Sequence, residues 1–265
     1  MTTPAHRGAA VEALAKRDRA VVLAALAAVA ALAWVHLGLT ARAMGRHAAM
    51  GMAMPRMEEW SAVDVLLLFV MWAVMMVAMM LPTAAPVVLT FASIQRRRRE
   101  RDGPYVSTAV FALGYLLVWT AYGAGAALAQ WALHEAALLS PTMASTSAVL
   151  GGGLLIGAGL FQFTPLKRVC LTQCRSPITA LSSGWKEGTR GALRMGVRHG
   201  GYCVGCCWVL MALLFVAGVM NLLWVATIAA FVLIEKVAPG GGWVGRVAGA
   251  LLVGWGVWMI AGTVA

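Results

Sequence analysis

Long apolar runs, each followed by a short polar or basic stretch, most strongly limit how this chain can fold. Residues 20–39 form the first run, and about 20 apolar residues are enough to cross a bilayer as a helix. Hydrophobic residues make up 61% of the 265-residue chain and charged residues 12%, whereas soluble domains average about 25% charged residues. The sequence therefore predicts an all-α, polytopic membrane helix bundle, with 1–265 forming a single domain.

Seven apolar segments are predicted to be transmembrane helices. They lie at about 20–39, 64–91, 106–131, 148–163, 199–223, 224–237 and 244–264. Because lysine and arginine accumulate in cytoplasmic segments, we expect a cytoplasmic tail at 1–19 and a cysteine-containing cytoplasmic loop at 164–197. The polar, methionine-rich segment 41–63 is predicted to be an external loop. This topology places the N-terminus in the cytoplasm and the C-terminus in the periplasm of a bacterial inner membrane.

The first apolar run has two interpretations. A basic start followed by Ala41-Arg42-Ala43 resembles a secretory signal peptide with its cleavage site. The run is longer than the apolar part of such a peptide, which usually has about 7–15 residues. An uncleaved first helix is therefore favoured.

The net charge of +11 raises the question of a nucleic-acid partner. The basic residues lie in separate blocks between apolar runs, and the block Arg96 to Arg99 follows a predicted span. This distribution indicates membrane orientation and contact with anionic lipids. Membrane lipids are thus expected as partners, and nucleic acid is not.

Three of the five cysteines lie in the segment 198–211, RHGGYCVGCCWVLM. On a helix that turns about 100° per residue, four side chains project onto one face, at about 0, 40, −20 and 80° for His199, Cys203, Cys206 and Cys207. Thiols and an imidazole on one face suit a soft metal ion, with Cu(I) as first choice and Zn(II) as second. The alternative is that buried cysteines pack as small hydrophobic residues.

The remaining cysteines, Cys170 and Cys174, are one helical turn apart in the predicted loop 164–197. Neighbouring lysine and arginine favour the thiolate form that binds metals. Five is an odd number of cysteines, which argues against a complete disulfide framework. We therefore predict that both cysteine groups meet on the cytoplasmic side and hold one ion.

Ten of the sixteen methionines lie between residues 44 and 80. The external segment offers His47, Met50, Met52 and Met54, and thioethers bind Cu(I) without deprotonation. The second span carries Met75, Met76, Met79 and Met80 before Pro82. These side chains are predicted to capture and relay a soft ion, although chance enrichment and ordinary helix packing are the alternatives.

Two positions are candidates for a functional role because an unpaired polar group in a membrane has a high free energy. Pro82 has no amide proton for the carbonyl of Ala78, which must find another partner or line a cavity. Glu235 lies near the end of the sixth span, and a carboxylate close to hydrocarbon is a candidate functional residue. Its alternative is an ion pair.

Taken together, these motifs resemble a bacterial family of predicted metal-binding integral membrane proteins, domain-of-unknown-function family 2182. The matching stretches are MMVAMMLP at 75–82 with Pro86, PLK at 165–167 with Cys170, Cys174, Arg175 and Pro177, HG at 199–200 with CVGCCW at 203–208, and EK at 235–236 with Pro239 and Gly241. The resemblance covers roughly 60–262 and implies a seven-helix membrane protein that handles a metal, copper in the first place.

The leading functional hypothesis is acquisition, relay or delivery of Cu(I), with a copper-dependent enzyme or an accessory metallochaperone as partner. One alternative is a membrane thiol–disulfide oxidoreductase that uses Cys203 and Cys206 with Cys170 and Cys174. Another is a metal-free membrane assembly factor. The sequence has no Gly-x-Ser-x-Gly and no His-Glu-x-x-His, which argues against a hydrolase.

Overall fold

Only helices occur in the part of the chain that the structure, a computed structural model, describes. It describes residues 4–49, 61–136, 138 and 147–262, with side chains omitted for 4–16 and 47–49. The helices are α1 Pro4–Ala49, α2 Ala62–Arg99, α3 Thr108–Glu135, α4 Ala148–Phe161, α5 Pro165–Arg175, α6 Pro177–Ser182, α7 Gly188–Ala212, α8 Leu214–Ala217, α9 Leu222–Val237 and α10 Gly241–Ala261. The predicted all-α class is confirmed.

Five of the described helical segments are long and apolar enough to cross a membrane, fewer than the seven predicted. They are Arg17–Arg46, Ala62–Arg99, Thr108–Glu135, Gly188–Ala217 and Gly241–Ala261. Helices α4 and α5 make a sixth only if they count as one span bent by 66°. Helix α9 has 16 residues, which extend about 24 Å against a hydrocarbon core of about 30 Å.

Two segments predicted as loops are helical. Helix α1 continues to Ala49, well past residue 41, where the external loop was expected to begin. The predicted loop 164–197 contains α5, α6 and the first turns of α7. Helix α7 begins at Gly188, whereas its start was predicted near His199. The arginines before His199 lie on the exposed side of this helix, and Gly191, Met195 and Gly196 lie on its buried side. Basic residues therefore continue an amphipathic helix here.

Helices α3 and α7 run parallel and lie unusually close together. A methyl group at Gly196 would lie 3.1 Å from the Cα atom of Gly114, and further along both helices the Tyr122 hydroxyl donates to the Trp208 carbonyl at 2.9 Å. Because glycine lacks a side chain, the two backbones can approach each other directly. This contact fixes the position of the cysteine-bearing part of α7.

Helix α2 lies antiparallel to both α1 and α3. Trp34 on α1 donates from Nε1 to the carbonyl of Ala78 at 3.2 Å, and Trp72 donates to Gln130 on α3 at 2.6 Å. The Ala78 carbonyl is the one that Pro82 leaves without an amide donor. The prediction that this carbonyl finds another partner is therefore confirmed, and that partner is a neighbouring helix.

Candidate metal centre

The cysteine face of α7 points into the core. Cys203, Cys206 and Cys207 have 1%, 0% and 0% of their surface exposed. The thiols of Cys206 and Cys207 both donate to the Cys203 carbonyl, at 3.1 and 2.9 Å. Such bonds from position i to the carbonyl at i−3 or i−4 fold each thiol against its own helix. The shared face predicted from spacing is thus a buried face, and all five cysteines are free thiols.

Helix α5 brings a fourth thiol to this face. Its N-terminus is fixed by Thr164, whose hydroxyl accepts the Lys167 amide at 3.3 Å, and by Pro165 in the first turn. The Cys174 sulfur then lies 4.0 Å from the Cys206 sulfur, although the two residues are 32 positions apart. Thiols from two separate segments therefore meet at one point.

Cys170 occupies a different place on α5. Its sulfur lies 2.8 Å from the position that a methyl group at Gly205 would take, so this glycine leaves room for α5 against α7. The side chain is buried, with 7% of its surface exposed. Cys170 thus packs beside the meeting point of Cys174 and Cys206, while its predicted role as a ligand stays a prediction.

Two further groups contact the Cys203 sulfur, and neither was predicted from the sequence. The Lys236 ammonium lies 2.8 Å from this sulfur and 3.2 Å from the Thr83 hydroxyl. The Tyr115 hydroxyl lies 3.0 Å from the sulfur and 2.9 Å from the Met80 carbonyl. One signal was available in the sequence, because Lys236 shares with Glu235 the end of an apolar helix.

Glu235 belongs to a second polar cluster. Its carboxylate forms a buried ion pair with Lys167 at 2.8 Å, and Lys167 also donates to Gln162. Arg175 donates to the backbone carbonyls of Glu235 and Ala238. These contacts tie α9 to α4 and α5. They agree with the ion-pair interpretation of Glu235, whose predicted metal-binding role is untested.

The remaining predicted ligands lie in three places. His199 is buried on the thiol face, and its ring centre is 5.9 Å from that of Tyr115, with Nδ1 lacking a hydrogen-bond partner. The methionines of α2 are buried in the core, each 0 or 1% exposed: Met75, Met76, Met79 and Met80. The side chains of the external candidates, His47, Met50, Met52 and Met54, lie outside the described residues.

The donor set at the meeting point suits a soft ion. Two sulfurs that are each about 2.3 Å from one ion and 4.0 Å from each other subtend an angle of about 120° at it. Within the described residues, however, no three His, Cys, Asp or Glu side chains form a ready-made metal-binding group. The fold therefore brings Cys174 and Cys206 within bridging distance and leaves any further ligand to be drawn in.

Neither the curated proteins nor the solved structures include a match to this chain. A family model does match: PpoB2, described as a copper chaperone, over residues 69–259. The matched region contains every cysteine, the methionines of α2 from Met71 onward, Glu235 and Lys236. This match supports the predicted relation to copper. The similarity to domain-of-unknown-function family 2182 remains a resemblance. Because the match covers well over half of the 265-residue chain, the chain belongs to the PpoB2 copper chaperone family.

Proposed function

We propose that this protein is a multi-pass membrane protein that receives Cu(I) and hands it to another protein. The observation that carries the proposal is the 4.0 Å separation of the Cys174 and Cys206 sulfurs, inside a core that α5, α7 and α9 close. Soft thiol ligands favour Cu(I) among the metals available to a cell. The copper chaperone family over residues 69–259 supports the same role.

The ion-binding site consists of Cys174, Cys203 and Cys206, with Cys207 and His199 beside it. Cys203 is included because it lies on the same buried face of α7, one turn before Cys206 and Cys207. Copper is the cargo, and its release to a copper-dependent enzyme or an accessory metallochaperone completes the role. Ligand exchange between thiols suits such a transfer, because a two- or three-coordinate ion leaves room for an incoming sulfur.

The buried methionines of α2 supply the route between the external side and the thiols. Met75 and Met79 lie one turn apart on α2 and are buried. They follow Trp72 in the sequence and come just before Met80, whose carbonyl accepts a hydrogen bond from the Tyr115 hydroxyl. The external segment 41–63 would load this route with thioether ligands. This part of the proposal depends on residues 50–60, which lie outside the described part of the chain.

The proposed location is the bacterial inner membrane, with the N-terminus in the cytoplasm and the C-terminus in the periplasm. The basic end of α2 and the start of α7 lie together, joined by Arg98 and Glu187 at 2.6 Å, which supports a shared cytoplasmic side. The antiparallel contact between α4 and α10, with Gly152 facing Gly256 and Gly159 facing Gly249, supports passes by both.

Elemental analysis tests the proposed function directly. The full chain is purified in detergent under reducing conditions, loaded with Cu(I), washed with a weak chelator and analysed for copper. We expect close to one copper per chain for the wild type and a large loss for Cys203→Ser/Cys206→Ser. Gly201→Ala on the same helix, where an added methyl group meets nothing within 4 Å, is the control. Equal, negligible copper in wild type and double variant would refute the proposal.

A further inference from the structure

Lys236 carries a positive charge into the core. Only 6% of its surface is exposed, and its ammonium group contacts the Thr83 hydroxyl at 3.2 Å and the Cys203 sulfur at 2.8 Å. A hydroxyl offers partial charge only, so it does not neutralise an ammonium ion. A buried charge is costly unless an opposite charge accompanies it. The site must therefore supply a negative charge close to Lys236.

No carboxylate of the described residues contacts Lys236 directly. Neighbouring residues on a helix project about 100° apart, and the carboxylate of Glu235 pairs directly with Lys167 at 2.8 Å. The group in direct contact with Lys236 that can carry a negative charge is the thiol of Cys203.

We propose that Lys236 makes the thiol centre selective for a monovalent ion. This inference rests on the proposed function. Whatever number of thiolates holds the ion, the ammonium of Lys236 adds one positive charge beside it, and this charge disfavours Zn(II) more than Cu(I). An excess charge in a buried site is strongly unfavourable. Lys236 is thus a specificity-determining residue that acts through its charge, without binding the metal.

The charge of the metal ion and its softness can be tested separately. Thiols alone favour every soft ion, and Cd(II) is soft but divalent, whereas Ag(I) is soft and monovalent. For any fixed number of thiolates, the ammonium of Lys236 repels a divalent ion twice as strongly as a monovalent one. Removal of this lysine should therefore raise the affinity for Cd(II) more than the affinity for Ag(I).

The first test uses the wild-type chain in detergent, loaded with Cu(I) under reducing conditions. Ag(I) or Cd(II) is added at increasing concentration, and the copper released is measured with a chromophoric Cu(I) chelator. We expect Ag(I) to displace Cu(I) at concentrations at least about tenfold lower than Cd(II). Displacement by Cd(II) at the same concentration as Ag(I) would overturn the proposal.

The second test removes the charge. Lys236→Met keeps the length of the side chain, and Lys236→Gln keeps a group that can hydrogen-bond to Thr83 if the first variant folds poorly. In either variant the ratio of Zn(II) to Cu(I) affinity should rise at least about tenfold. Arg198→Met is the control, because it removes an exposed charge from α7 that solvent already screens.

The outcomes distinguish the two proposals. If the wild type binds Cu(I) and the ratio of affinities is unchanged in Lys236→Met and Lys236→Gln, the selectivity role is wrong and the proposed function stands. If the ratio rises equally in Arg198→Met, the effect belongs to overall charge and the role of Lys236 is again refuted. If the wild type binds no Cu(I), the proposed function fails and the selectivity role fails with it.

Discussion

The sulfur of Cys174 lies 4.0 Å from the sulfur of Cys206, whereas Cys170, one turn away on the same short helix, packs against Gly205. The two cysteines of α5 therefore have different surroundings, even though their spacing in the sequence suggests equivalent roles. Burial does not identify the partner of Cys206, because Cys170 is buried and Cys174 is only half-buried. What separates them is the direction in which each side chain leaves the helix.

Cys174→Ser should lower the affinity for Cu(I) more than Cys170→Ser does. Loss of groups that only support metal ligands costs about 10–100-fold in affinity, so we expect at least about tenfold for Cys174→Ser. A smaller change is expected for Cys170→Ser, because its sulfur faces Gly205. Competition with a chromophoric chelator measures both values. Equal losses would show that both thiols bind the ion, as their spacing in the sequence predicts.

Gly205→Ala should displace α5 and weaken the metal centre. The added methyl group would lie 2.8 Å from the Cys170 sulfur, which is too close for ordinary contact, and overpacking of this kind costs about 1–3 kcal/mol. Thermal unfolding in detergent and Cu(I) affinity should both fall.

Gly201→Ala is the matched control for this change, because it lies one turn earlier on α7 with nothing within 4 Å of the added methyl group. Alanine favours helix over glycine by up to about 1 kcal/mol. This variant should be as stable as the wild type or more so. A stabilised Gly205→Ala variant would contradict the tight contact between α5 and α7.

The contribution to stability of the hydrogen bond from Trp34 to the Ala78 carbonyl should depend on the presence of Pro82. Trp34→Phe removes the donor, and the carbonyl of a residue with 0% exposure then has no partner. In a Pro82→Ala background the amide of residue 82 can take this carbonyl, so Trp34→Phe should cost less there. A double-mutant cycle on unfolding in detergent should give a coupling of about 0.5–1.5 kcal/mol. Additive effects would contradict the compensation.

Removing one partner of the buried ion pair between Lys167 and Glu235 should lower the free energy of unfolding strongly. Lys167→Met or Glu235→Gln leaves one buried polar group without its partner, which costs about 3–5 kcal/mol in a buried ion pair. The double variant, which removes both charges, should be destabilised by less than the sum of the single changes. Thermal unfolding of the four proteins measures this. A double variant as unstable as that sum would rule out direct pairing.

Helical periodicity predicted the part of the site that lies within one helix. The common face of Cys203, Cys206 and Cys207 follows from 100° per residue, and it is indeed a buried face. The missing amide of Pro82 likewise predicted an unpaired carbonyl at Ala78, because proline chemistry is local. Both inferences needed only residues within one or two turns of each other.

Contacts between helices were beyond such reasoning. Nothing in the local pattern indicates that Lys236, Tyr115 and Cys203 meet, because their approach depends on how α3, α7 and α9 pack. The start of α7 was placed too late, since its arginines were assigned to a loop although they lie on the exposed side of a helix. Two of the seven expected spans, α4 and α9, have only 14 and 16 residues, so five described segments are long enough to cross on their own.

The two thiols that meet belong to helices held in different ways. Helix α5 is tied to α9 by side chains, since Arg175 donates to the carbonyls of Glu235 and Ala238, whereas Gly114 and Gly196 bring α7 and α3 together backbone against backbone. An ion bridging Cys174 and Cys206 would therefore join a helix held by side-chain contacts to one held by its backbone. Because side chains rearrange more easily than packed backbones, we expect the bond to Cys174 to open first and an acceptor protein to approach from the side of α5.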